Sequence, residues 1–102
     1  MPAEFISGSP AQIEWAGRIR LTADAEFTRV AAALRAVAAG QQEAGRQRTE
    51  TVIAILEEKR AEVMARNQAG YFIREWQELS DQVRRLITAD ARYQDIQKRQ
   101  KP

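Results

Sequence analysis

The sequence predicts an all-α fold, a small antiparallel helical bundle of three long helices with short helices at the ends of the chain. Three observations predict it. Apolar residues recur at helical spacing through almost all of the 102 residues. Alanine, the strongest helix former, is abundant. The segments that interrupt the periodic stretches are short, and short connections favour antiparallel neighbours.

The first predicted helix begins at Pro10, because Ser9 can cap a helix and proline is preset for the first helical position. Residues 1–9 before it are predicted to be a flexible segment. The helix runs to about Leu21, where two readings remain open. Thr22 can cap a second helix, or the first helix can continue through it with a bend.

The clearest apolar stripe lies in the predicted helix 22–39, and its steps of four and three residues are those of a heptad seam. The stripe consists of Ala23, Phe27, Val30, Leu34 and Val37. Gly40 is predicted to end the helix in a left-handed conformation. The segment 41–48 is polar and contains Gly45, which predicts either a loop or a weakly held extra helical turn.

Two more long helices are predicted over 48–67 and 70–88. The apolar face of the former consists of Val52, Ile53, Leu56, Val63 and Met64. The apolar face of the latter consists of Phe72, Trp76, Leu79, Val83 and Leu86. A short helix over 90–97 completes a single bundle domain of residues 10–97, and residues 98–102 are predicted to fray as a basic tail.

One short pattern occurs twice in the chain. Residues 21–27 read Leu-Thr-Ala-Asp-Ala-Glu-Phe, and residues 87–93 read Ile-Thr-Ala-Asp-Ala-Arg-Tyr. We favour the interpretation that one capping arrangement opens a helix after a tight turn in both places. The alternative is a pseudo-symmetric pair of docking points.

The chain contains no histidine and no cysteine, which removes the commonest general base, the commonest metal ligand and the best thiol nucleophile. Its serines lie outside any Gly-x-Ser-x-Gly turn, and no glycine pattern suits phosphate binding. The carboxylate pairs Glu58 with Glu62 and Glu75 with Glu78 have basic neighbours, so we expect salt-bridged surfaces there. The sequence therefore predicts a non-enzymatic protein without a cofactor or a metal.

The net charge is only +2, and the basic surplus lies near the carboxyl end of the chain. Nucleic-acid binding is therefore the alternative function. Its candidate contact residues are Arg84, Arg85, Arg92, Lys98, Arg99 and Lys101. Asp81, Asp90 and Asp95 interleave with them, whereas phosphate binding favours clustered surplus charge. We place this function second for that reason.

The preferred function is protein–protein interaction or assembly. The candidate interface residues are Trp15, Tyr71, Ile73 and Arg74. Tyr71 and Ile73 diverge from the apolar stripe of helix 70–88 and, if exposed, form an interface with the stem of Arg74. Trp15 lies beside the apolar side of the first helix and either joins the core or packs across a dimer. We expect two partners, a second copy in a homodimer and an unknown protein.

Trp15-Ala-Gly17 and Tyr71-x-x-x-Glu75 resemble the Trp-x-Gly and Tyr-x-x-x-Asp/Glu motifs of small helical-hairpin secretion substrates, which are of similar length. In that family the Trp-x-Gly motif lies in the turn between two long helices, near the middle of the chain. Here it lies near the start, within a predicted helix. We therefore do not assign the chain to that family.

The sequence also predicts where the protein resides. No apolar run approaches the roughly 20 residues that span a bilayer. Residues 1–10 lack the positive charge and the apolar stretch of a secretory signal. We therefore expect a cytoplasmic protein that does not associate with a membrane.

Overall fold

The computed structural model describes residues 7–100, apart from the side chains of Leu79, Ser80 and Gln100. Within this range the fold is all-α, as predicted, and an isolated parallel bridge joins Ser7 to Gln68. The helices are α1 (Pro10–Ala39), α2 (Glu43–Met64), α3 (Ala69–Glu75), α4 (Leu79–Thr88) and α5 (Ala91–Gln100). In this described part of the chain, no helix combines the length and the apolar character needed to cross a bilayer.

Helix α1 is one continuous helix of 30 residues. The Ser9 hydroxyl accepts a hydrogen bond from the Gln12 backbone N–H (3.2 Å), and Gln12 Oε1 accepts one from the Ser9 N–H (2.8 Å), which forms the capping box ahead of Pro10. Thr22 does not begin a second helix. Its hydroxyl donates to the Arg18 carbonyl (2.9 Å) inside α1, so the capping reading at this site is wrong.

The buried side of α1 is made mostly of alanine. It consists of Ala16, Ala23, Phe27, Ala31 and Ala38. Val37, the last residue of the predicted heptad seam, is 53% exposed. At the rotation of a straight α-helix, Val37 lies about 80° around the axis from Phe27, whereas Ala38 lies about 20° from it. A strict heptad pattern therefore predicts the wrong residue at this end of the helix.

The connection to α2 consists of residues 40–42, so most of the segment 41–48 is helical. Gly40 has a φ of −96° and is not left-handed. Polar side chains support the first turns of α2, because the Gln47 amide donates to Glu43 (3.0 Å) and the Thr49 hydroxyl donates to Gln41 (2.6 Å). The segment has no apolar stripe, which is why the sequence predicted little helix there. Local polar hydrogen bonds support the helix instead.

Helices α1 and α2 run antiparallel, because residues later in α1 contact residues earlier in α2. Arg20 Nη1 donates to the Arg66 carbonyl just after α2 (3.5 Å), and Arg35 pairs with Glu57 towards the other end (3.5 Å). Leu56 and Val63 of the predicted face are buried in the core. Ile55, about 100° around the axis from Leu56, is also buried, since α2 contacts α4 and α5 as well as α1.

The third long helix predicted over 70–88 is instead two short helices, α3 and α4, separated by residues 76–78. No glycine or proline marks this break. The Gln77 amide donates to the Ile73 carbonyl (2.6 Å), which satisfies an acceptor at the end of α3. The Trp76 ring packs against the Phe27 ring, with 5.6 Å between centroids. The chain therefore has two long and three short helices in its described part.

Helix α5 begins at an aspartate cap and is held against α2 by ion pairs. Asp90 Oδ1 accepts from the Arg92 backbone N–H (2.8 Å), and Asp90 Oδ2 lies 3.4 Å from Lys59 Nζ. Arg92 also pairs with Glu58 of α2. Helix α5 extends to Gln100 and thus includes the first residues of the predicted basic tail.

Two segments of the predicted terminal regions lie outside the described residues, namely 1–6 and 101–102. Within the described part, Ser7 is held at Gln68, and Gly8 adopts a φ of 115°. A Cβ at Gly8 would come within 3.0 Å of the Ala69 Cβ, so this position suits glycine both in backbone conformation and in space.

Candidate protein interface

Trp15 lies on α1 at the edge of the core, with 47% of the residue exposed. Its neighbour Ala16 is fully buried, and consecutive helical residues point about 100° apart. The indole therefore lies next to the buried side of α1 and does not point into the core. It borders a groove of about 340 Å³ between α1 and the α3–α4 junction. We call this the Trp15 groove; its other lining residues are Arg18, Ile19, Thr22, Trp76 and Gln77.

Tyr71 is half-buried and is engaged by its own chain. Its hydroxyl accepts a hydrogen bond from the Trp76 indole N–H (3.2 Å). The Arg66 guanidinium lies 4.0 Å from the centre of its ring, and Phe72 packs edge-on at 5.0 Å. The structure thus places Tyr71 in a local cluster at the end of α2, in contrast to the half-exposed indole of Trp15.

Ile73 and Arg74 lie on α3 in different environments. Ile73 is half-buried and packs against the core. Arg74 is exposed, and its guanidinium folds back over Gly70, where a Cβ would come within 2.8 Å of Nη1. Trp76 links the predicted interface residues, because it borders the Trp15 groove and also binds Tyr71. Of the four predicted residues, Trp15 alone is apolar and about half exposed, because Tyr71 and Ile73 are more deeply buried and Arg74 is charged.

A second surface feature was not found by sequence reasoning. An open depression of about 220 Å³ lies where α1, α4 and α5 meet, with Arg84 and Thr88 also at its edge. We call it the apolar groove; it is lined by Val30, Leu34, Val83, Ile87 and Tyr93. Val30 and Leu34 belong to the predicted heptad seam. Both are only half-buried, and their side chains form one wall of this groove.

The basic residues of the alternative function are partly neutralised. Arg84 pairs with Asp81 (2.8 Å), Arg99 with Asp95 (2.9 Å), and Arg92 with both Glu58 and Asp90. The hydrogen bond from Arg84 lowers the pKa of Asp81, so this carboxylate keeps its charge.

Of the three other basic candidates, two lie in the described part of the chain. Arg85 and Lys98 are exposed, on α4 and α5 respectively, and Lys101 lies outside the described residues. Among residues 7–100, no group of three or more carboxylates lies close enough to hold a metal ion. Glu58 bonds Arg92, and Glu62 lies 4.0 Å from Lys59, so these two carboxylates have basic neighbours as expected.

Comparison of the chain with protein-family models, curated proteins and solved structures gave no match. The Trp15-Ala-Gly17 motif lies inside α1, not in a turn between helices. Its position therefore differs from that in the helical-hairpin secretion substrates, as the sequence predicted.

Proposed function

We propose that this protein is a small non-enzymatic interaction or assembly module that contacts other proteins through one side of α1. We call that side the Trp15 flank; it consists of the exposed residues Ala11, Trp15, Arg18, Thr22, Arg29, Ala33 and Val37. The exposed indole beside the Trp15 groove is the observation that carries the proposal. Tryptophan is enriched among the residues that dominate binding energy at protein interfaces.

Isolated exposed apolar residues are common on protein surfaces and need no function. Trp15 differs from such residues in two respects. It borders a groove whose walls mix the apolar Ile19 and Trp76 with polar side chains, so a partner can contact the ring beside both kinds of surface. In addition, Val37 is exposed on the same flank, whereas Leu21, 71% exposed, lies on the other side of α1. The flank thus offers one large apolar anchor near its beginning and a second, smaller apolar side chain at its end.

The proposal treats α1, α2 and the α3–α4 segment as the three members of an antiparallel bundle that holds the flank rigid. Burial of Phe27, Phe72 and Trp76 in one core supports this arrangement. We include a cytoplasmic location in the same proposal, and the lack of cysteine is compatible with either a reducing or an oxidising compartment.

The test compares proteins captured from the native lysate by the wild type, by Trp15→Ala and by Leu21→Ala. Leu21→Ala is the matched control, because it also removes an exposed apolar side chain from α1. We expect Trp15→Ala to lose a defined partner that Leu21→Ala retains, with or without nuclease. A capture pattern that is identical for all three chains would contradict the proposal.

Nucleic-acid binding stays the second candidate, and the ion pairs of Arg84, Arg92 and Arg99 disfavour it. A gel-shift titration over salt concentration tests it directly. Binding at physiological salt that is lost on charge reversal of Arg84, Arg85 and Arg99 would favour it over the interaction module, because phosphate contacts are strongly salt-dependent.

A further inference from the structure

We propose that a second docking surface lies at the beginning of α3 and binds an acidic segment of a partner protein, a stretch of chain rich in aspartate and glutamate. We call this surface the arginine patch; it consists of Arg66, Gly70, Tyr71 and Arg74. It is built on α3 and on the connection before it. The patch is therefore separate from the Trp15 flank of α1 and does not rest on the function proposed for that flank.

The two guanidinium groups of the patch lie against consecutive residues of α3. Cζ of Arg66 is 4.0 Å from the centre of the Tyr71 ring. Nη1 of Arg74 lies 2.8 Å from the place that a Cβ of residue 70 would take, so Gly70 leaves the space in which it lies. Arg20 Nη1 donates to the Arg66 carbonyl (3.5 Å) and brings a third guanidinium group to the same connection. Separate parts of the chain thus bring positive charge to one place.

The patch differs from most of the basic surface because its two arginines have no carboxylate partner within residues 7–100. Eight arginines in this range do form ion pairs, namely Arg18, Arg29, Arg35, Arg46, Arg60, Arg84, Arg92 and Arg99. Arg66 and Arg74 are exposed and form none of these pairs. Glu75, next to Arg74 in sequence, is not in an ion pair in the same range either. The charge of both arginines is therefore available to a partner.

The contacts of the two arginines also order them for binding. A guanidinium that lies over a ring uses its face, whereas its N–H donors lie at its edge and match the two oxygens of a carboxylate. In the described part of the chain, no side-chain N–H of Arg66 or Arg74 donates a hydrogen bond. Side chains that are already ordered lose less conformational entropy on binding. The patch thus offers placed donors that lack acceptors.

The surroundings of Tyr71 favour a protein partner over a nucleic acid. Proteins that bind single strands combine open aromatic faces, on which bases stack, with a groove of positive charge. The Tyr71 ring is half-buried, lies under Arg66 and packs edge-on with Phe72, and its hydroxyl already accepts from Trp76. The ring therefore serves to place Arg66. Two neighbouring arginines suit the carboxylates of an acidic peptide.

The first measurement is the fluorescence anisotropy of fluorescein-labelled hexaglutamate titrated with the whole chain. We expect binding at low ionic strength that weakens as salt is added, because exposed charges are screened. Hexaglutamine, the matched neutral peptide, should not bind. Absence of hexaglutamate binding overturns the proposal. Tighter binding of labelled hexathymidylate than of hexaglutamate also overturns it, since the patch would then prefer phosphates.

Charge removal locates the binding. Arg66→Gln and Arg74→Gln should each raise the Kd for hexaglutamate about threefold, since an exposed ion pair is worth up to roughly a factor of five. Glu75→Gln should lower the Kd, because it removes a neighbouring negative charge. The matched control is Arg48→Gln, since Arg48 is also exposed and without an ion pair in the described chain but lies near the other end of α2. An equal loss in Arg48→Gln overturns the proposal.

Gly70→Ala tests the geometry without changing any charge. The added methyl group displaces Nη1 of Arg74, which is the far end of a flexible side chain, so the fold accommodates it. We expect the Kd to rise about twofold, and to rise no further when Gly70→Ala is added to Arg74→Gln, because both changes act on one guanidinium. Thermal unfolding should show no loss of stability, since alanine is the better helix former. An unchanged Kd overturns the placement of Arg74 in the patch.

Trp15→Ala separates this proposal from the function proposed for α1. It should leave hexaglutamate binding unchanged, because Trp15 lies outside the arginine patch. If Trp15→Ala weakens that binding as much as Arg74→Gln does, the acidic peptide binds elsewhere and the proposal is overturned. If the Trp15 flank captures no partner while hexaglutamate binds as described, the arginine patch stands without the flank.

Discussion

The same tetrapeptide, Thr-Ala-Asp-Ala, occurs at residues 22–25 and 88–91 and adopts two different structures. The first copy is helical in the middle of α1. The second copy ends α4, forms the turn and begins α5. The difference teaches that these four residues permit both a continued helix and a helix boundary, and that their surroundings decide between them.

The two copies differ in what their alanines and aspartates contact. Ala23 is fully buried in the core, whereas the equivalent Ala89 is exposed. Asp24 bonds Arg60 Nε (2.7 Å), and Asp90 instead caps α5 while lying beside Lys59. A buried alanine holds the first copy against the core. In the second copy, Asp90 caps the start of α5, so a helix boundary falls within the pattern.

Both aspartates nevertheless meet neighbouring residues of α2, Arg60 and Lys59. The two copies of the pattern thus approach one position of α2 from different elements, α1 and the α4–α5 turn. The capping interpretation holds for the second copy only. The alternative interpretation, a pseudo-symmetric pair of docking points, stays a prediction.

The largest expected effect comes from the aromatic residue that follows each copy. Phe27 is fully buried, and Tyr93 at the equivalent place is half-buried. We expect Phe27→Ala to lower the free energy of unfolding by about 3–5 kcal/mol, the usual range for a core phenylalanine. Tyr93→Ala should lower it by clearly less. Urea unfolding followed by circular dichroism measures both, and equal losses would contradict the comparison.

Proline substitution at equivalent alanines tests the structural difference directly. Ala25 lies inside α1, where proline should lower the free energy of unfolding by about 3 kcal/mol or more. Ala91 is the first residue of α5, a position that tolerates proline, so the loss there should stay below about 1 kcal/mol. Both alanines are exposed, and thermal unfolding of the two variants makes a matched pair. Similar losses would show that the second copy is not a helix boundary.

The aspartates should differ in pH dependence. Hydrogen bonds from Arg92 lower the pKa of Asp90 below its ordinary value. The stability that this carboxylate contributes is therefore present above its unfolded pKa of about 3.9 and is lost as the pH falls towards its folded pKa. We expect Asp90→Asn to destabilise the protein at pH 7 and to flatten the loss of stability on acidification.

Asp24→Asn is the control for that experiment, because the Asp24 side chain is 41% exposed, against 10% for Asp90. Exposed ion pairs contribute little to stability. Urea midpoints at pH 7, 4 and 3 compare the two variants with the wild type (pH values chosen about the ordinary aspartate pKa). A steeper acid dependence in Asp90→Asn than in the wild type would contradict the role assigned to Asp90.

The smallest effect is expected at the threonines. The Thr22 hydroxyl satisfies the Arg18 carbonyl within α1, where alanine has the higher helix propensity. Thr22→Ala should therefore change the free energy of unfolding by no more than about 0.5 kcal/mol and in the stabilising direction. A marked loss in differential scanning calorimetry would indicate that Thr22 supports the helix in a way its hydrogen bond does not explain.

The sequence predicts those parts of the fold that local chemistry controls. Ser9 and Pro10 begin α1 as expected, because a cap needs only its nearest neighbours. The break at residues 76–78 has no such signal, since it arises where Trp76 packs on Phe27, far away in the chain. A heptad repeat also places Val37 on the buried side wrongly, because a straight α-helix has about 3.6 residues per turn and a heptad assumes about 3.5.

In the candidate interface, too, the sequence predicts what nearby residues control and misses what distant contacts control. Sequence spacing placed Trp15 beside the core without deciding its exposure, and the structure leaves it half-exposed. Tyr71 is covered partly by Arg66, whose approach depends on the connection between α2 and α3. The apolar groove needs three helices to meet, which no single stretch of sequence encodes.

The two tryptophans occupy different environments, with Trp15 47% exposed and Trp76 only 2% exposed. The protein consequently carries two tryptophan fluorophores that report separate events. A dissolved quencher such as iodide reaches Trp15 in the native state and reaches Trp76 only after the core opens. Emission from a Trp76→Phe chain follows docking at the surface, and emission from a Trp15→Phe chain follows unfolding, so one spectrometer distinguishes a lost contact from a lost fold.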